Sequence, residues 1–398
     1  MDSIKGKAAI CGTGITPMGK IYGHDAAYFA QEAVRLALED AGLEREQVDG
    51  VLVNPGTTPM GGMDGLGIQN QLSLTNLKFL NSMNSGGATA CTMVQFAAMA
   101  VVHGLANYVI CLFADAPLSE GRGGGEAYGF RRYQPTGMSS LPGAYGLFGV
   151  NLRYALSAQR HMALYGTTND HFGAIAVAQR QWAQMNPLAQ QRDPMTIEDY
   201  HASRWIAEPL HLFDCTLVSN GGVAVIVTTA ERARDLKQPP AYIWGMGQGH
   251  PGDLNYGDWD LDTQTGAVIS REAAYRTAGV GPDDIDVLEI YDCYTYTAMI
   301  QLEDLGFCEK GEGPAFVREH GMTYAGSFPN NTSGGQLSVG QAGAAGGFLG
   351  MTESIRQLTG QAGQRTVKDA ELGMVCGFGM VTYDRCLCTG AVILGRSE

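Results

Sequence analysis

Apolar positions along the chain fall into short continuous runs separated by glycine-rich turns and by longer stretches of helical period. That pattern predicts an α/β protein whose strands are buried on both faces. Residues 7–14, Lys-Ala-Ala-Ile-Cys-Gly-Thr-Gly, predict a buried strand ending in a glycine turn. Residues 25–41 predict an amphipathic helix opened by Asp25, with Phe29, Ala33, Leu36 and Ala37 on one face and Gly42 as its stop. Val48–Val53 predicts the next strand. Near residue 290 the run Leu288-Glu289-Ile290 gives way to Tyr291-Asp292-Cys293-Tyr294-Thr295-Tyr296-Thr297, a strand turning into a helix. Helix N-termini carry free N–H groups and partial positive charge, so this turn is a candidate place for chemistry.

The pattern repeats. Ala41-Gly42-Leu43 followed by Val48-Asp49-Gly50-Val51-Leu52 returns, at the same spacing, as Ala278-Gly279-Val280 followed by Ile285-Asp286-Val287-Leu288. The strand at Ala9–Gly14 returns at Ile243–Gly247, and Val109–Phe113 returns at Met374–Phe378. Matches in the same order predict two copies of one βαβ-rich unit. In the first copy, Asn81–Ala88 leads into a helix through about His103 rich in small residues (Ala88, Ala90, Ala97, Ala98, Ala100). In the second, Gly340–Gly347 leads into a helix through about Leu358. Two such helices at matching places predict a central pair between two sheets. Residues 115–160, with Gly123-Gly124-Gly125, Pro135, Gly137, Pro142 and Gly143, read as a loop-rich insertion; 152–182 read as helical, and 190–210 as carrying a short helical piece. Asn220–Val227 closes the first copy and Thr389–Leu394 the second.

Composition narrows the function. Of the 398 residues, 45% are hydrophobic and 17% charged, which suits a large buried core rather than a disordered chain. A net charge of −14 with no basic stripe argues against a nucleic-acid partner. An anionic ligand such as a CoA ester needs a local exception, which Arg122, Arg131 and Arg132 offer unless they are solvated surface residues. The nine cysteines form no CxxC pair, and Cys386-x-Cys388 alone is a weak metal signal. They read as reduced thiols of a cytoplasmic protein. No run is long enough to span a membrane.

Ser219-Asn220-Gly221-Gly222-Val223-Ala224, Asn331-Thr332-Ser333-Gly334-Gly335 and Cys376-Gly377-Phe378-Gly379, on this duplicated pattern, resemble the thiolase superfamily, most nearly its sterol-carrier-type, lipid-transfer-protein branch. The resemblance covers nearly the whole chain. It implies a five-layer αβαβα fold with halves at about 1–235 and 236–398, a homodimer formed through the first half, and CoA thioesters as substrates. The nucleophilic cysteine of that family falls on Met83, with Ser82 adjacent and Ser85-Gly86-Gly87 matching. The histidine of its Gly-His-Pro motif falls on Gln341. The histidine of its His-Asp-Cys-Phe motif falls on Tyr291, and the cysteine of its Cys-x-Gly motif is kept as Cys376. A thioether is no nucleophile and a carboxamide no proton-transfer base. Acyl transfer through cysteine would therefore need Cys91 or Cys293 to take over.

These losses resemble those of the steroid side-chain-cleaving aldolases. That resemblance implies retro-aldol cleavage of a β-hydroxyacyl-CoA into a ketone or aldehyde and a shorter acyl-CoA. It also implies a separate small subunit with an OB-fold and a zinc ribbon, for which this chain has no cysteine spacing. No cofactor or metal of the chain's own is implied. The residues suit the chemistry. Tyr294 is the first candidate for the catalytic group, followed by Tyr291 and Tyr296, each of which acts as a base only with the ordinary tyrosine pKa of about 10 lowered or by relaying a proton. Asp292 either takes part or caps the helix starting near Thr295. Gln341 and Cys376 stand behind the tyrosines. Gly86, Gly87, Gly346, Gly347 and the Gln341 amide offer donors to an enolate oxygen. His161 and His320 are further candidates, each read first as a surface residue or a hydrogen-bonded structural one. The rival readings are a non-catalytic acyl-CoA or lipid binder and an acyltransferase with a relocated cysteine.

Overall fold

The computed structural model describes residues 4–54, 65–123, 127, 140–147, 149–251, 263–343, 346–379, 381–382, 385–386 and 388–398. Arg131 and Arg132, Gly124, Gly125, Pro135 and Gly137 lie outside the described residues, as does the side chain of Cys386. Arg122 is exposed.

Nine strands form the main sheet: β1 (Ala8–Ile15), β2 (Gly50–Asn54), β3 (Phe79–Ser82), β4 (Val109–Asp115), β5 (Gly221–Thr229), β6 (Ala241–Gly249), β7 (Val287–Ile290), β8 (Leu372–Phe378) and β9 (Thr389–Gly395). Their order is β3-β2-β4-β5-β1-β6-β9-β8-β7. The central pair, β1 and β6, shares only Ala9↔Tyr242 and Ile10↔Ala241, so two half-sheets are hinged along a short antiparallel seam. Outward from that seam, each half runs antiparallel, antiparallel, parallel: β1-β5-β4-β2 on one side and β6-β9-β8-β7 on the other. The three repeated sequence segments occupy equivalent places, β1 with β6, β2 with β7 and β4 with β8. The first half adds β3, paired in parallel to β2.

Alternation along the strands builds the layers. Ala9, Cys11, Val51 and Val53 face helix α1 (Ala26–Ala41), while Ala8, Ile10 and Leu52 face the opposite way. That inner face packs on α2 (Thr89–Val102) and α7 (Gly346–Leu358), together with Val375, Val392 and Leu394 of the second half-sheet. The outer face of the second half-sheet (Leu288, Met374, Ala391, Ile393) packs on α5 (Ala267–Ala278) and α6 (Thr295–Asp304). Helix, sheet, paired helices, sheet, helix make the expected five layers. The first strand of each half is crossed closely by its helix: a Cβ on Gly14 would lie 2.0 Å from the Ala33 carbonyl, and one on Gly247 would lie 1.9 Å from that of Ser270. The glycine spacing shared by β1 and β6 is this packing requirement.

Three expectations need adjustment. The α2 helix is not covered all round, since Phe96 and Met99 are 40% and 38% exposed. The helical stretch at 152–182 is two helices, α3 (Val150–Tyr165) and α4 (Asn169–Gln184), because Gly166 takes a left-handed conformation and Thr168 starts a new capping box. The short helical piece at 190–210 is Ile197–Ala202, followed by a small hairpin of Trp205–Ala207 and Leu210–His211.

Candidate active site

Strand β7 ends at Ile290 and α6 begins at Thr295; the four residues between them are held on every side. Gln301 on α6 reads both backbone groups of Tyr291: its Nε2 donates to the Tyr291 carbonyl at 2.8 Å and its Oε1 accepts from the Tyr291 N–H at 3.3 Å. Thr297 Oγ1 donates to the Tyr294 carbonyl at 2.7 Å and accepts from the Tyr294 N–H at 3.1 Å, which makes Tyr294 the N-cap of α6. Asp292 does not cap that helix. Its carboxylate accepts from the N–H groups of Gln336 at 3.0 Å and Leu337 at 3.3 Å and so caps the short helix Gly335–Val339. Burial pushes its pKa up to about 6, against the lowering effect of those two donors. The turn is thus a rigid platform on which the side chains of Tyr291 and Tyr294 are aimed.

Tyr291 is aimed at the glycines. Its ring abuts Gly87, where an added Cβ would come within 2.3 Å of Tyr291 Cζ and 2.2 Å of the Phe378 carbonyl oxygen. Its hydroxyl accepts from the Gln341 Nε2 at 2.5 Å. Gln341 is itself fixed through its backbone, donating to the Leu217 carbonyl at 2.7 Å and accepting from the Ser219 N–H at 2.9 Å. From the other side, Gly347 at the start of α7 abuts the Gly87 carbonyl, 2.5 Å from where its own Cβ would be. Gly86, at φ 55°, bends the chain into α2 and its N–H is taken by Asn84 Oδ1 at 3.0 Å. Five separate stretches therefore meet: the Gly86-Gly87 turn, Tyr291, Gln341, Gly346-Gly347 and the end of β8. Gly87→Ala should force the Tyr291 ring off its seat and cost about 1–3 kcal/mol of stability. Denaturant unfolding together with turnover checks this, and both should fall.

Tyr294 looks elsewhere. Its hydroxyl bonds Asn151 Oδ1, and its ring lies on Tyr154 at a centroid separation of 4.2 Å. Both partners are on α3, and no local sequence signal pointed to them. Burial holds the hydroxyls of Tyr294 and Tyr154 well above the ordinary tyrosine range. Tyr296 is 2% exposed and packs edge-on to Phe172 and His161. His161, fully buried, bridges Thr167 Oγ1 at 2.7 Å and Glu303 at 3.1 Å and joins α3 to α6. His320 bonds Ser327 Oγ at 3.1 Å and packs on Phe316. Both histidines are thus hydrogen-bonded within the fold. Cys376 sits with Met374 and Phe378 on the face of β8 turned to the second core; the position turned to Gly87 and Ala88 is Gly377.

The nucleophile position offers none. Met83 is half-buried against the central core, and Ser82 is exposed at the end of β3. Cys91 and Cys293 are buried, and burial pushes each thiol up to about 12. A thiol so raised stays protonated at neutral pH and is a poor nucleophile. Among the described residues no group of three His, Cys, Asp or Glu side chains is arranged to hold a metal ion. Among them, too, no helix is long and apolar enough to cross a membrane.

Residues 254–395 match the family model described as "Thiolase C-terminal domain-like". Over 371 residues the chain is 38% identical to the steroid side-chain-cleaving aldolase of Thermomonospora curvata, covering 90% of this chain and 92% of that one. It is also 38% identical, over 364 residues and the same shares, to the 17-hydroxy-3-oxo-4-pregnene-20-carboxyl-CoA lyase of Mycobacterium tuberculosis. A solved structure, the Ltp2-ChsH2(DUF35) aldolase, superposes with a TM-score of 0.85 at 34% identity, covering 99% of each chain. The class is that of a mixed α/β, thiolase-like protein built on one large sheet. Within it, the chain belongs to the thiolase-superfamily group that includes the steroid side-chain-cleaving aldolases.

Proposed function

We propose that this chain is a carbon–carbon lyase that cleaves a β-hydroxyacyl-CoA by a retro-aldol step, and that Tyr291 rather than Tyr294 is its proton-transfer group. The observation that carries the reading is the Tyr291 hydroxyl, bonded to the Gln341 amide on a face built of glycines. Tyr291, as its phenolate, takes the β-hydroxyl proton and becomes the phenol; the O–H electron pair becomes the new C=O bond, and the Cα–Cβ pair passes into a thioester enolate. The same hydroxyl returns the proton to the α-carbon. Gln341 donates to the phenolic oxygen and favours its charged form. Backbone N–H groups at Gly87 and at the start of α7 face the developing enolate. No covalent nucleophile is needed, which agrees with Met83 and with the raised thiols. Tyr294, its hydroxyl committed to Asn151, shapes the wall behind Tyr291.

The acyl group is read as a steroid side chain or one of similar shape, following the activities named for the relatives. The partner is read as a separate small subunit of the DUF35 kind named with the solved relative. A homodimer through the first half is supported by the place of β3 at the end of the sheet among the described residues and by the exposed Phe96 and Met99. The halves divide at about residues 235 and 236, after β5 and before β6. A cytoplasmic location suits the cysteines, among which the described residues show no disulfide.

The test is incubation of the chain with a candidate small subunit and a β-hydroxyacyl-CoA, followed by carbonyl detection and intact-mass measurement. A ketone or aldehyde with a shorter acyl-CoA, and no protein adduct, is expected. An acyl adduct on a cysteine would overturn the reading in favour of acyl transfer, and tight binding without turnover in favour of a binder.

A further inference from the structure

Resting on that lyase reading, we propose that Gln336 is a hydrogen-bonding group reserved for the substrate: its side-chain amide, with the N–H groups at the start of α7, receives the thioester oxygen as it becomes an enolate. Gln336 is 1% exposed, and among the described residues neither its Nε2 nor its Oε1 has a hydrogen-bond partner. A buried amide left unmatched is costly, and in a folded protein it calls for an explanation. Its position supplies one. The carboxamide occupies the space where a Gly346 side chain would begin, with Oε1 1.9 Å from the site of an added Cβ. It therefore lies on the first turn of a 13-residue helix, whose leading N–H groups have no intrahelical acceptor and whose dipole is positive there. The next residue, Gly347, abuts the Gly87 carbonyl, and Gly87 carries the Tyr291 ring.

The amide is also held in place from its backbone. The Gln336 N–H donates to Asp292 at 3.0 Å, and its carbonyl accepts from Thr216 Oγ1 at 3.1 Å and from the Gly340 N–H at 3.2 Å. Its side chain approaches Asp292 closely enough to hold that carboxyl down somewhat, though no hydrogen bond closes. With no protein partner to fix it, the amide is free to present Nε2. As the Cα–Cβ pair moves into the thioester and the carbonyl pair moves onto oxygen, that N–H donates to the oxygen; no proton leaves Gln336.

Gln336→Met keeps the shape and removes the polar atoms. Its Tm should equal or exceed that of the wild type, since an unmatched amide is lost, while kcat on a β-hydroxyacyl-CoA should fall about 100-fold. A second readout does not depend on turnover. Calorimetric titration compares acetyl-CoA with ethyl-CoA, the thioether that lacks the carbonyl oxygen. The wild type should prefer acetyl-CoA by about tenfold, and Gln336→Met should lose the preference. If the variant keeps the preference, or turns over like an active wild type, the inference is wrong. A lowered Tm would overturn it too, because the amide would then be satisfied in the free protein by bound water. A wild type that prefers acetyl-CoA yet cleaves no β-hydroxyacyl-CoA would sink the lyase reading and leave the Gln336 contact standing.

Discussion

Tyr291→Phe should lower kcat by about 10²- to 10⁴-fold while leaving KM and the fold nearly unchanged. The ring stays, so its packing against Gly87 and Phe378 is preserved. What goes is the oxygen that accepts from Gln341, and Gln341 is only half-buried, so its amide can turn to water. Loss of one such bond costs about 1 kcal/mol of stability, well short of unfolding the protein. Tyr294→Phe is the control that separates the two tyrosines. It removes the bond to Asn151 and should loosen the contact between α3 and α6, with a much smaller fall in kcat. Steady-state kinetics of both variants on one substrate decides the matter. An equal fall in both, or a larger one in Tyr294→Phe, would return Tyr294 to the role its sequence position suggested.

The largest stability effect is expected away from the site, at Arg365. Its guanidinium grips Glu353 at two points, Nε to Oε1 at 2.9 Å and Nη2 to Oε2 at 3.0 Å, and both side chains are almost wholly buried. Thr332 Oγ1 lies 2.8 Å from Glu289 and 3.2 Å from Glu353, so two carboxyl groups share one buried hydroxyl. Burial first, and Glu353 second, raise the Glu289 pKa well above the ordinary carboxyl range. Glu289 is two residues before Tyr291 in the chain, which ties this cluster to the site's platform. Arg365→Met leaves the Glu353 charge unpaired in the core and should cost about 3–5 kcal/mol. Because the folded state holds the Glu289 proton more tightly than the unfolded state, stability from that group is full below the ordinary carboxyl pKa and declines as pH rises through its raised value. Denaturant unfolding of Arg365→Met at neutral pH checks its cost; a deficit below about 1 kcal/mol would show that Glu353 is not left unpaired.

Much of this architecture was open to a reader of the chain. The repeated segments lie on equivalent strands because each half must bury the same alternating faces, and a period of two leaves little choice of register. The Gly14 and Gly247 contacts explain why the repeats keep their glycines. The helix 25–41 began and ended where Asp25 and Gly42 said, and Asp25 does accept from the Tyr28 N–H. Met83 and Gln341 at positions where thiolases place cysteine and histidine already spoke against acyl transfer.

Local sequence therefore determined the elements, the duplicated βαβ-rich unit and the residue types available at the strand-to-helix turn, while the five layers came from the resemblance to thiolases. Tertiary structure decided which way that turn points them. Past Ile290 the strand period no longer governs side-chain direction, so the sequence could put Tyr294 first and Tyr291 behind it but could not say where either points. They were separated by partners far away in the chain: Gly87 and Gln341 for one, Asn151 and Tyr154 for the other. Asp292 likewise found its helix 44 residues onward rather than three. Capping and periodicity act over a few residues, whereas a site of this kind is made where distant loops close, and the choice among their side chains is settled by packing and hydrogen bonding in three dimensions.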